Sequence, residues 1–451
     1  MCLLMLMFVA VEMTLFFNHS IKTAKDMKQL YLAIWALLVL ACGKNEKALH
    51  ITLTNPSDTV RVDESFVIRR EQLNIDESSE LVPVLMDESN NFIPCQYDDV
   101  DGDGRWDELA FVCDLPSMAR LHLRMDWVNP KKYPVFPYRT NIRYGKMITP
   151  GNIKELKTDV HGSEGLPRGE GYPYQMDGPA WENDKVGFRH YFDGRNNRDV
   201  FGKLLPAMVL DTVGITTDGM PGDTYNVMRN WGRDILMVGR SLGVGGIAMQ
   251  LPDTLIRLGV LPEQTVDNVD STRYTLITKG TVRSMFKLNY YGWKVGECKI
   301  DLQEIITIWA GKYGYESLVT TNALPQNARL VTGLVTLENE KPQVSRLHSD
   351  KYLSMNTHDL QANKKEWYLG LGLVLPVSNV DTLFEASSLN SNIRNTWCAG
   401  LKPDLNGEYR YRVYAAWEMS DKRFINRDFY LGMINDYIER LCNPVLMEIT
   451  P

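Results

Sequence analysis

Short runs of alternating apolar and polar residues follow one another along the first part of this chain. Alternation with a period of two is typical of a β-strand that has one buried face. Turn-forming pairs, such as Asn55-Pro56 and Asp101-Gly102, separate the runs. The pattern therefore predicts a small N-terminal β-sandwich module over residues 49–130. Its strands are expected at 49–53, 60–62, 65–70, 81–86 and 108–113.

The same pattern continues to the end of the chain. Apolar residues recur at helical spacing from Arg427 to Cys442, which predicts a C-terminal helix. Many short strands with one helix predict an all-β fold, in which residues 131–451 form a large, supersandwich-like antiparallel β-sandwich. Residues 131–180, rich in Pro, Gly and Tyr, are expected to be long ordered loops. Strands are predicted at 185–193, 207–213, 234–239, 245–251, 272–280, 281–290, 299–310, 313–320, 329–337, 366–375 and 408–418.

The N-terminus differs from the rest in composition. Met27-Lys28-Gln29 precedes an apolar run that ends at Ala41, and Cys42 follows. This order is typical of a bacterial lipoprotein signal, so we interpret residues 1–41 as a targeting segment with its true start at Met27. We expect a lipid on Cys42, a tether at 43–48, and a location in the cell envelope, in the periplasm or on the outer-membrane surface. Membrane helices within residues 1–41 are the alternative, although the run is shorter than the roughly 20 residues that a span needs.

Charge and cysteine content limit the classes of function and site that we expect. The 451 residues carry a net charge of −7, whereas nucleic-acid binding usually needs a broad basic excess, so we expect no nucleic-acid partner. Five cysteines follow Cys42 without a CxxC pair, which indicates neither a zinc site nor a disulfide framework. We expect free thiols, with a single bridge between Cys95 and Cys113 as the alternative. No cofactor is required by any motif in the chain.

An acidic loop, DVDGDGRWDE, begins at Asp99. Carboxylates at its first, third, fifth and ninth positions and glycine at its sixth match the first part of a calcium-binding loop. The twelfth position is Ala110 rather than glutamate, which excludes an EF-hand. A structural Ca²⁺ on a β-hairpin loop is one interpretation, and an Asp/Gly-rich turn without metal is the other. The expected ligands are Asp99, Asp101, Asp103 and Asp107.

The stretch Trp181–Lys203, WENDKVGFRHYFDGRNNRDVFGK, combines many charged and aromatic residues. Burying so much charge is costly unless the groups pair or meet a ligand. Aromatic rings stack on the apolar faces of sugars, and charged groups bind hydroxyls and carboxylates. The stretch therefore predicts a sugar site, with a solvated edge strand as the alternative.

Read as a strand, residues 185–193 have two different faces. His190 falls on the apolar face with Val186, Phe188 and Phe192, so we interpret it as a packed core residue rather than a general base. The opposite face carries the candidate catalytic residues Lys185, Arg189, Tyr191 and Asp193. Residues in and beyond the same stretch are candidate substrate-binding groups: Trp181, Glu182, Arg195, Arg198, Lys203, Tyr225, Trp231 and Trp293.

Three segments together resemble a known family. They are GPAWENDKVGFRHYFDGRNNRDVFGK at Gly178–Lys203, DVDGDGRWDELAF at Asp99–Phe111 and NWGRDILMVGRSLGVGGIA at Asn230–Ala248. They are similar to a bacterial family long described as a domain of unknown function, whose genes lie in polysaccharide-utilisation clusters and which includes an ulvan oligosaccharide dehydratase. The resemblance covers nearly all of the mature chain. It implies a lyase that acts on an anionic oligosaccharide.

Elimination of water across C4 and C5 of a terminal uronic acid needs three groups. A cation neutralises the carboxylate, a base removes the C5 proton, and an acid assists the leaving hydroxyl. We expect Arg189 to bind the carboxylate. Lys185 or Tyr191 would be the base, and Tyr191 or Asp193 the acid.

Two other classes of function stay open at this point. The first is a glycoside hydrolase or mutarotase-like sugar enzyme, for which Glu182, Asp193 and Asp199 could supply carboxylates. The second is a non-catalytic glycan-binding lipoprotein at the cell surface. Membrane contact is expected through the lipid anchor alone.

Overall fold

The computed structural model describes residues 47–75, 78–164, 172–264, 266–322, 324–336, 341–347 and 350–451. The targeting segment at 1–41, the lipidation site Cys42 and residues 43–46 of the tether lie outside the described residues. Residues Ala48–Pro451 form one compact unit. Among the described residues, no helix has the length and apolar character needed to cross a membrane.

Strands form most of the fold, and their bounds follow in chain order. The first fifteen are β1 Leu49–Thr54, β2 Arg61–Arg69, β3 Val82–Met86, β4 Phe92–Ile93, β5 Cys95–Asp98, β6 Glu108–Leu115, β7 Arg120–Val128, β8 Thr140–Arg143, β9 Gly145–Thr149, β10 Asn152–Glu155, β11 Thr158–Gly162, β12 Ala180–Asn183, β13 Val186–His190, β14 Arg198–Lys203 and β15 Gly232–Asp234. The others are β16 Val244–Gln250, β17 Leu255–Arg257, β18 Ser271–Lys279, β19 Arg283–Val295, β20 Cys298–Trp309, β21 Gly314–Thr321, β22 Arg329–Val335, β23 Gln343–Leu347, β24 Tyr352–Ala362, β25 Trp367–Pro376, β26 Val380–Glu385, β27 Thr396–Leu401, β28 Tyr409–Trp417 and β29 Leu446–Thr450. Helix α1 is Arg427–Cys442.

Two sheets build the N-terminal β module. One has the order β29-β1-β7-β3-β4 and the other the order β2-β6-β5. Apolar side chains from both sheets, such as Ile51, Phe66 and Phe111, pack in one core. The C-terminal strand β29 pairs antiparallel with β1, so the last residues of the chain complete the first sheet.

The larger β-sandwich has a nine-stranded sheet, β11-β18-β19-β20-β21-β28-β25-β24-β23. Two five-stranded sheets pack against it through a shared core: β15-β14-β13-β12-β8 and β17-β16-β22-β27-β26. Trp181 on β12 shows the contact between layers, because its ring lies 5.2 Å from the rings of Phe286 and Tyr315 on the opposite sheet. The all-β sandwich predicted from the alternating pattern is thereby confirmed.

Helix α1 packs against the outer face of the nine-stranded sheet. Tyr430, Ile434 and Ile438 are its buried residues. A Cβ at Gly370 would lie 2.5 Å from the Tyr430 ring, so only glycine lets β25 come this close to the helix. Asn426 caps the helix by accepting hydrogen bonds from the backbone N–H groups of Asp428 and Phe429. The helix predicted from apolar spacing is confirmed.

Two predicted strands are wrong, and local hydrogen bonds explain both. Residues 207–213 form turns, because Oε1 of Glu182 accepts the N–H groups of Val209 and Leu210 that a sheet ladder would need. The strand expected at 234–239 ends at Asp234, whose carboxylate accepts the N–H of Leu236. The strand expected at 185–193 is also shorter and ends at His190.

Residues 131–180 do not consist of loops alone. Strands β8 to β11 occupy much of this segment, and β8 pairs with β12 while β11 pairs with β18 at the edge of the large sheet. The prediction of long loops is therefore wrong for 140–162. The cysteines match their prediction, because Cys95, Cys113, Cys298, Cys398 and Cys442 are free.

Candidate functional site

Strands β12, β13 and β14 bring the charged stretch into one sheet. Arg189 on β13 lies directly opposite Asp199 on β14, and Ala180 on β12 is its other neighbour. Asp234 ends β15, the next strand in the same sheet, and Asp177 lies just before β12. Residues far apart in sequence thus meet around Arg189.

The guanidinium of Arg189 is the centre of a carboxylate cluster. Its Nη2 donates to Oδ2 of Asp199 at 2.6 Å and to Oδ2 of Asp234 at 2.5 Å. Its Nη1 donates to Oδ2 of Asp177 at 3.3 Å. The Arg189 side chain is 3% exposed, whereas that of Asp177 is 31% exposed. Each of the three nitrogens of Arg189 therefore donates to a protein carboxylate, and Asp177 presents the cluster to solvent.

Two phenols complete the cluster. The hydroxyl of Tyr191 donates to Asp199 at 2.8 Å, and that of Tyr225 lies 2.8 Å from Asp223 and 3.2 Å from Asp177. Both rings face the Arg189 guanidinium, at 4.4 Å for Tyr191 and 4.5 Å for Tyr225. Cation–π contacts of this kind stabilise a buried guanidinium in addition to its hydrogen bonds.

Two carboxyl groups of the cluster hold protons more tightly than usual. Burial raises the pKa of Asp234 well above its ordinary value, and repulsion from Asp199 adds to the effect although Arg189 opposes it. Burial also raises the pKa of Asp177, again against the attraction of Arg189. Carboxyl groups with raised pKa are suited to acid and base catalysis near neutral pH.

The backbone at Asp177 is held in an unusual conformation. Met176 and Asp177 have φ values of 56° and 60°, in the left-handed region that residues other than glycine rarely adopt. The carbonyl of Asp177 accepts the N–H of Phe192 at 2.8 Å, and Met176 is buried. Backbone strain of this kind occurs where the surroundings fix a side chain, which is often at a functional site.

Arg195 lies beside the cluster and is less enclosed. Its guanidinium is 4.1 Å from the centre of the Tyr191 ring, on which Arg189 also packs. Arg195 Nε donates to Asp193 at 2.7 Å, and Nη2 forms an ion pair with the same carboxylate at 2.6 Å. The Arg195 side chain is 20% exposed. Arg195 is therefore more accessible to solvent than Arg189.

A second polar group lies on the other side of Tyr172. The Tyr172 hydroxyl donates to the carbonyl of Asp177 at 3.1 Å, and its ring contacts that of Tyr174 at 5.2 Å. Asp159 accepts from Tyr174, and it also accepts from Tyr144 at 2.8 Å and from Lys146 at 3.3 Å. These residues were not predicted, because the segment that contains them was interpreted as loop. Asp159 and His161 are two residues apart, so they lie on one face of β11, and this spacing could have indicated the strand from the sequence.

Two histidines lie near the cluster: His190 is fully buried and His161, on β11, is half-buried. Burial lowers the pKa of His161 to about 4 and that of His190 well below its ordinary value. Nε2 of His190 lies 2.9 Å from Asn196 and 3.1 Å from the hydroxyl of Tyr290. Both imidazoles are neutral at physiological pH, and His190 packs in the core as its place on the apolar face indicates.

Comparison with known proteins gives the family. A family model described as a domain of unknown function, DUF4861, matches residues 53–447. The chain belongs to the DUF4861 family. A curated relative from Formosa agariphila, described as uncharacterized protein P7, is 24% identical over 442 residues, which cover 94% of this chain and 100% of the relative.

Two solved structures from Enterococcus faecalis align with this DUF4861 chain. One is described as an alpha-mannosidase and the other as a protein in glycosyl hydrolase family 38. Their TM-scores are 0.46 and 0.47, at 9% and 10% sequence identity. Each alignment covers 90% of this chain but only 46% and 48% of the matched chains, so the DUF4861 chain spans about half the length of the solved structures it matches.

Several of the expected sugar-binding residues lie in the interior of the DUF4861 fold. Trp181 and Trp293 have no exposed surface, and the indole N–H of Trp293 donates to the carbonyl of Arg257 at 3.2 Å. Their ring faces are covered by protein and are not available to a sugar. Trp231 is half-buried, with its ring 5.9 Å from that of Phe201.

Two buried ion pairs use other residues of the charged stretch. Lys203 donates to Glu182 at 2.5 Å, and Arg198 pairs with Glu304 on β20 in the centre of the core. All four side chains are at most 2% exposed. These charges are satisfied within the protein, so they stabilise the packing of the sheets rather than a ligand.

Lys185 lies apart from the Arg189 cluster. It lies four positions before Arg189, which is roughly 13 Å along an extended strand. It precedes β13, where its backbone N–H donates to Asn183. The structure therefore brings together Arg189, Tyr191, Arg195 and Tyr225 from the predicted set, with Asp193 alongside and Lys185 at the far end.

The acidic loop of the DUF4861 chain gathers three of its four aspartates. Ligand atoms of Asp99, Asp101 and Asp107 lie within 4.8 Å of one another, whereas Asp103 is outside this group. Asp99 also accepts the backbone N–H groups of Gly102 at 2.7 Å and Gly104 at 2.9 Å. The three carboxylates could hold a hard cation, and the hydrogen bonds order the loop by themselves.

Proposed function

We propose that this protein is a carbohydrate-active lyase that removes water from a terminal uronic acid of an oligosaccharide by β-elimination. The observation that carries the proposal is Asp177, a partly exposed carboxyl group with a raised pKa, held in a left-handed turn next to Arg189. Arg195 lies nearby with solvent access. A proton-transfer group that contacts Arg189 and a cation that packs on the Tyr191 ring thus belong to the same cluster of side chains.

The reaction needs two proton transfers, one from the substrate to the enzyme and one from the enzyme to the leaving hydroxyl. The base takes the C5 proton, and the electron pair of the C5–H bond becomes the C4=C5 double bond. The C4–O bond breaks, and the acid protonates the departing hydroxyl, so that water leaves. Where the proton and the hydroxyl leave from the same face of the ring, one carboxyl group can serve both steps.

We assign both proton transfers to Asp177. Its raised pKa makes the carboxylate a stronger base than an ordinary aspartate, and after accepting the proton it is the nearest acid. Tyr225 is a positioning residue, because its hydroxyl lies 3.2 Å from Asp177. This assignment replaces the roles expected for Lys185, Tyr191 and Asp193.

Arg195 takes the carboxylate-binding role that the sequence suggested for Arg189. All three nitrogens of Arg189 already donate to Asp177, Asp199 or Asp234, so a substrate carboxylate would compete with these groups. Arg195 bonds through its guanidinium to Asp193 and keeps exposed surface. A guanidinium in this position would neutralise the substrate carboxylate and stabilise charge that develops beside C5.

The direct test uses uronate-ended oligosaccharides and the Asp177→Asn variant. Asparagine has the same shape and tolerates the left-handed region, so the fold should persist. The wild type should form a conjugated, ultraviolet-absorbing product that is lighter by one water molecule, and Asp177→Asn should lose about 100-fold or more in kcat/KM. Asp211→Asn, on a carboxylate that is 61% exposed, is the matched control and should keep full activity.

Other products would indicate other functions. Cleavage without the chromophore would support a glycoside hydrolase, and an interconverted sugar of unchanged mass would support a mutarotase-like enzyme. Tight binding with unchanged oligosaccharide would support a glycan-binding protein. Undiminished turnover in Asp177→Asn would overturn the assignment of this residue.

We also propose that the mature protein is a lipoprotein of the cell envelope, attached by a lipid on Cys42. The proposal rests on the apolar run up to Ala41 and on the cysteine that follows it. Metabolic labelling with a fatty acid tests it. Label should enter the wild type and not Cys42→Ser, whereas equal labelling of both would contradict the proposal.

We further propose a structural Ca²⁺ at Asp99, Asp101 and Asp107. Carboxylate oxygens are the ligands that calcium prefers, and three of them lie close together in one short loop. The ion would brace the turn between β5 and β6, away from the elimination chemistry.

A further inference from the structure

A cavity of about 280 Å³ lies where the N-terminal β module, the nine-stranded sheet and α1 meet. Its walls come from β2, β20, β21, β28 and the end of α1. None of its lining residues belongs to the Arg189 cluster. This volume is just under the lower end of the range for ligand pockets, about 300 Å³, so the cavity could hold only a small molecule.

The charges on its walls are unevenly paired. Glu316 on β21 binds both Arg412 and Arg410, and Glu64 on β2 faces Arg440 at 3.2 Å. Lys312, in the turn between β20 and β21, is different. Among the described residues, its ammonium has no carboxylate within salt-bridge distance, and it donates to the hydroxyl of Ser65 at 2.6 Å.

The lining therefore has an excess of positive charge. Three cations of the lining, Lys312, Arg412 and Arg440, face two carboxylates of the lining, Glu64 and Glu316. Behind the lining, Asp436 pairs with Arg440 at 2.8 Å and Arg61 pairs with Glu64 at 3.5 Å, so these two additions cancel and the excess stays at one positive charge. A half-buried ammonium without a carboxylate partner is costly, and a bound anion would offset that cost. The cavity favours an anionic ligand over a neutral one.

Aromatic rings line the same cavity. The rings of Tyr414 and Tyr437 are stacked at 5.0 Å, and Trp309 lies 5.9 Å from the Lys312 ammonium. Rings beside charged donors and acceptors provide apolar contact for a ring-shaped ligand and hydrogen bonds for its substituents. An inorganic ion alone would leave these surfaces unused.

We propose that this cavity is a second binding site, which takes an organic anion the size of one sugar ring and places its acidic group on Lys312. Glucuronate is a suitable probe, because it combines a carboxylate with a ring of hydroxyls. The site is independent of the elimination reaction. It would give the protein a place for a product or a regulator apart from the Arg189 cluster.

Binding should depend on pH. Burial lowers the pKa of Lys312 to about 8, with Glu64 opposing this shift and Arg412 and Arg440 adding to it. Glu316 also faces the group and opposes the shift, and Asp63 on β2 is a further carboxylate that interacts with the Lys312 charge. The Lys312 side chain is a charged ammonium below this pKa and a neutral amine above it. Affinity for the anion should therefore fall between pH 7 and pH 9.5.

Calorimetric titration of glucuronate tests the site. It is best done in an Arg195→Gln background, which removes the cation of the proposed lyase site and leaves the cavity intact. Adding Lys312→Met should weaken binding about tenfold or more, since a charge-assisted hydrogen bond is lost. Lys299→Met, on an exposed lysine of β20, is the control and should change nothing.

A further variant and further ligands distinguish binding in this cavity from binding elsewhere. Thr307→Tyr should abolish binding by filling the cavity, and it keeps the test valid if Lys312→Met does not fold. Glucose should bind more weakly than glucuronate. Absence of glucuronate binding, equal binding after Lys312→Met, or equal affinity for inorganic sulfate would overturn the proposal, whether or not the lyase activity is found.

Discussion

Asp199 and Asp234 accept hydrogen bonds from the same nitrogen, Nη2 of Arg189, at 2.6 and 2.5 Å. Asp199 is fully buried and Asp234 is 14% exposed. Two carboxylates this close repel each other, and the repulsion contributes to the raised pKa of Asp234, after burial. The guanidinium between them therefore holds the sheet together at this point.

Replacement of Arg189 by methionine should destabilise the fold. Asp199 would be left buried without its cation, and breaking a buried ion pair on one side costs about 3–5 kcal/mol. Denaturant unfolding measures the change. Arg195→Met, which removes a more exposed cation, should cost much less, and equal losses for the two variants would show that Arg189 is not the structural centre of the cluster.

The stability of the wild type should fall as pH rises through the raised pKa of Asp234. The folded protein holds this proton more tightly than the unfolded chain, whose pKa is near 3.8. The stabilisation that comes from binding this proton is complete below the unfolded pKa, and it is lost as the pH rises through the pKa of Asp234 in the folded protein. The Asp234→Asn variant has no titratable proton at this position, so its stability does not change for this reason. Its free energy of unfolding relative to that of the wild type should therefore rise from pH 4 to pH 8. A constant difference over that range would contradict the raised pKa.

The core pair between Arg198 and Glu304 should act as a unit. Glu304→Gln leaves the Arg198 guanidinium buried without a countercharge, and unfolding should become easier by about 3–5 kcal/mol. The double variant Arg198→Met/Glu304→Leu should recover much of this loss, because no unpaired charge remains. Chemical denaturation of the three proteins checks the prediction, which fails if the double variant is the least stable.

Calcium should raise the melting temperature if the acidic loop binds it. The proposed ligands Asp99 and Asp107 lie on both sides of the turn, so a bound ion would stabilise the hairpin only in the folded state. Thermal unfolding with added Ca²⁺ or chelator measures this. The shift should vanish in Asp99→Asn/Asp107→Asn, and its absence in the wild type would favour a turn without metal.

Strand alternation and helical spacing were sufficient to predict the all-β fold and helix α1. They failed where side chains compete with the backbone ladder, as Glu182 does at Val209 and Leu210. They also failed for β8 to β11, because proline- and glycine-rich composition hid short strands. The return of β29 to pair with β1 joins the two ends of the described chain, and no local pattern encodes it.

The site was predictable only in part. The alternation predicted over residues 185–193 placed Arg189 and Tyr191 on one face, and the two side chains are hydrogen-bonded although β13 ends at His190. The partners Asp177, Asp199 and Asp234 come from three other segments. The sheet register brings Asp199 and Asp234 to Arg189, and the turn before β12 adds Asp177. Charge density alone could not separate Arg195, which keeps solvent access, from Arg198, which is buried in the core.

The fate of a deuterium label at C5 tests the proposed elimination most directly. A uronate-ended oligosaccharide that carries deuterium at C5 is incubated with the wild type, and the product is analysed by mass spectrometry. Elimination predicts an unsaturated product that has lost the label together with one hydroxyl group, and the reaction should be lost in Asp177→Asn. A turned-over product that keeps the deuterium at C5 would contradict the account.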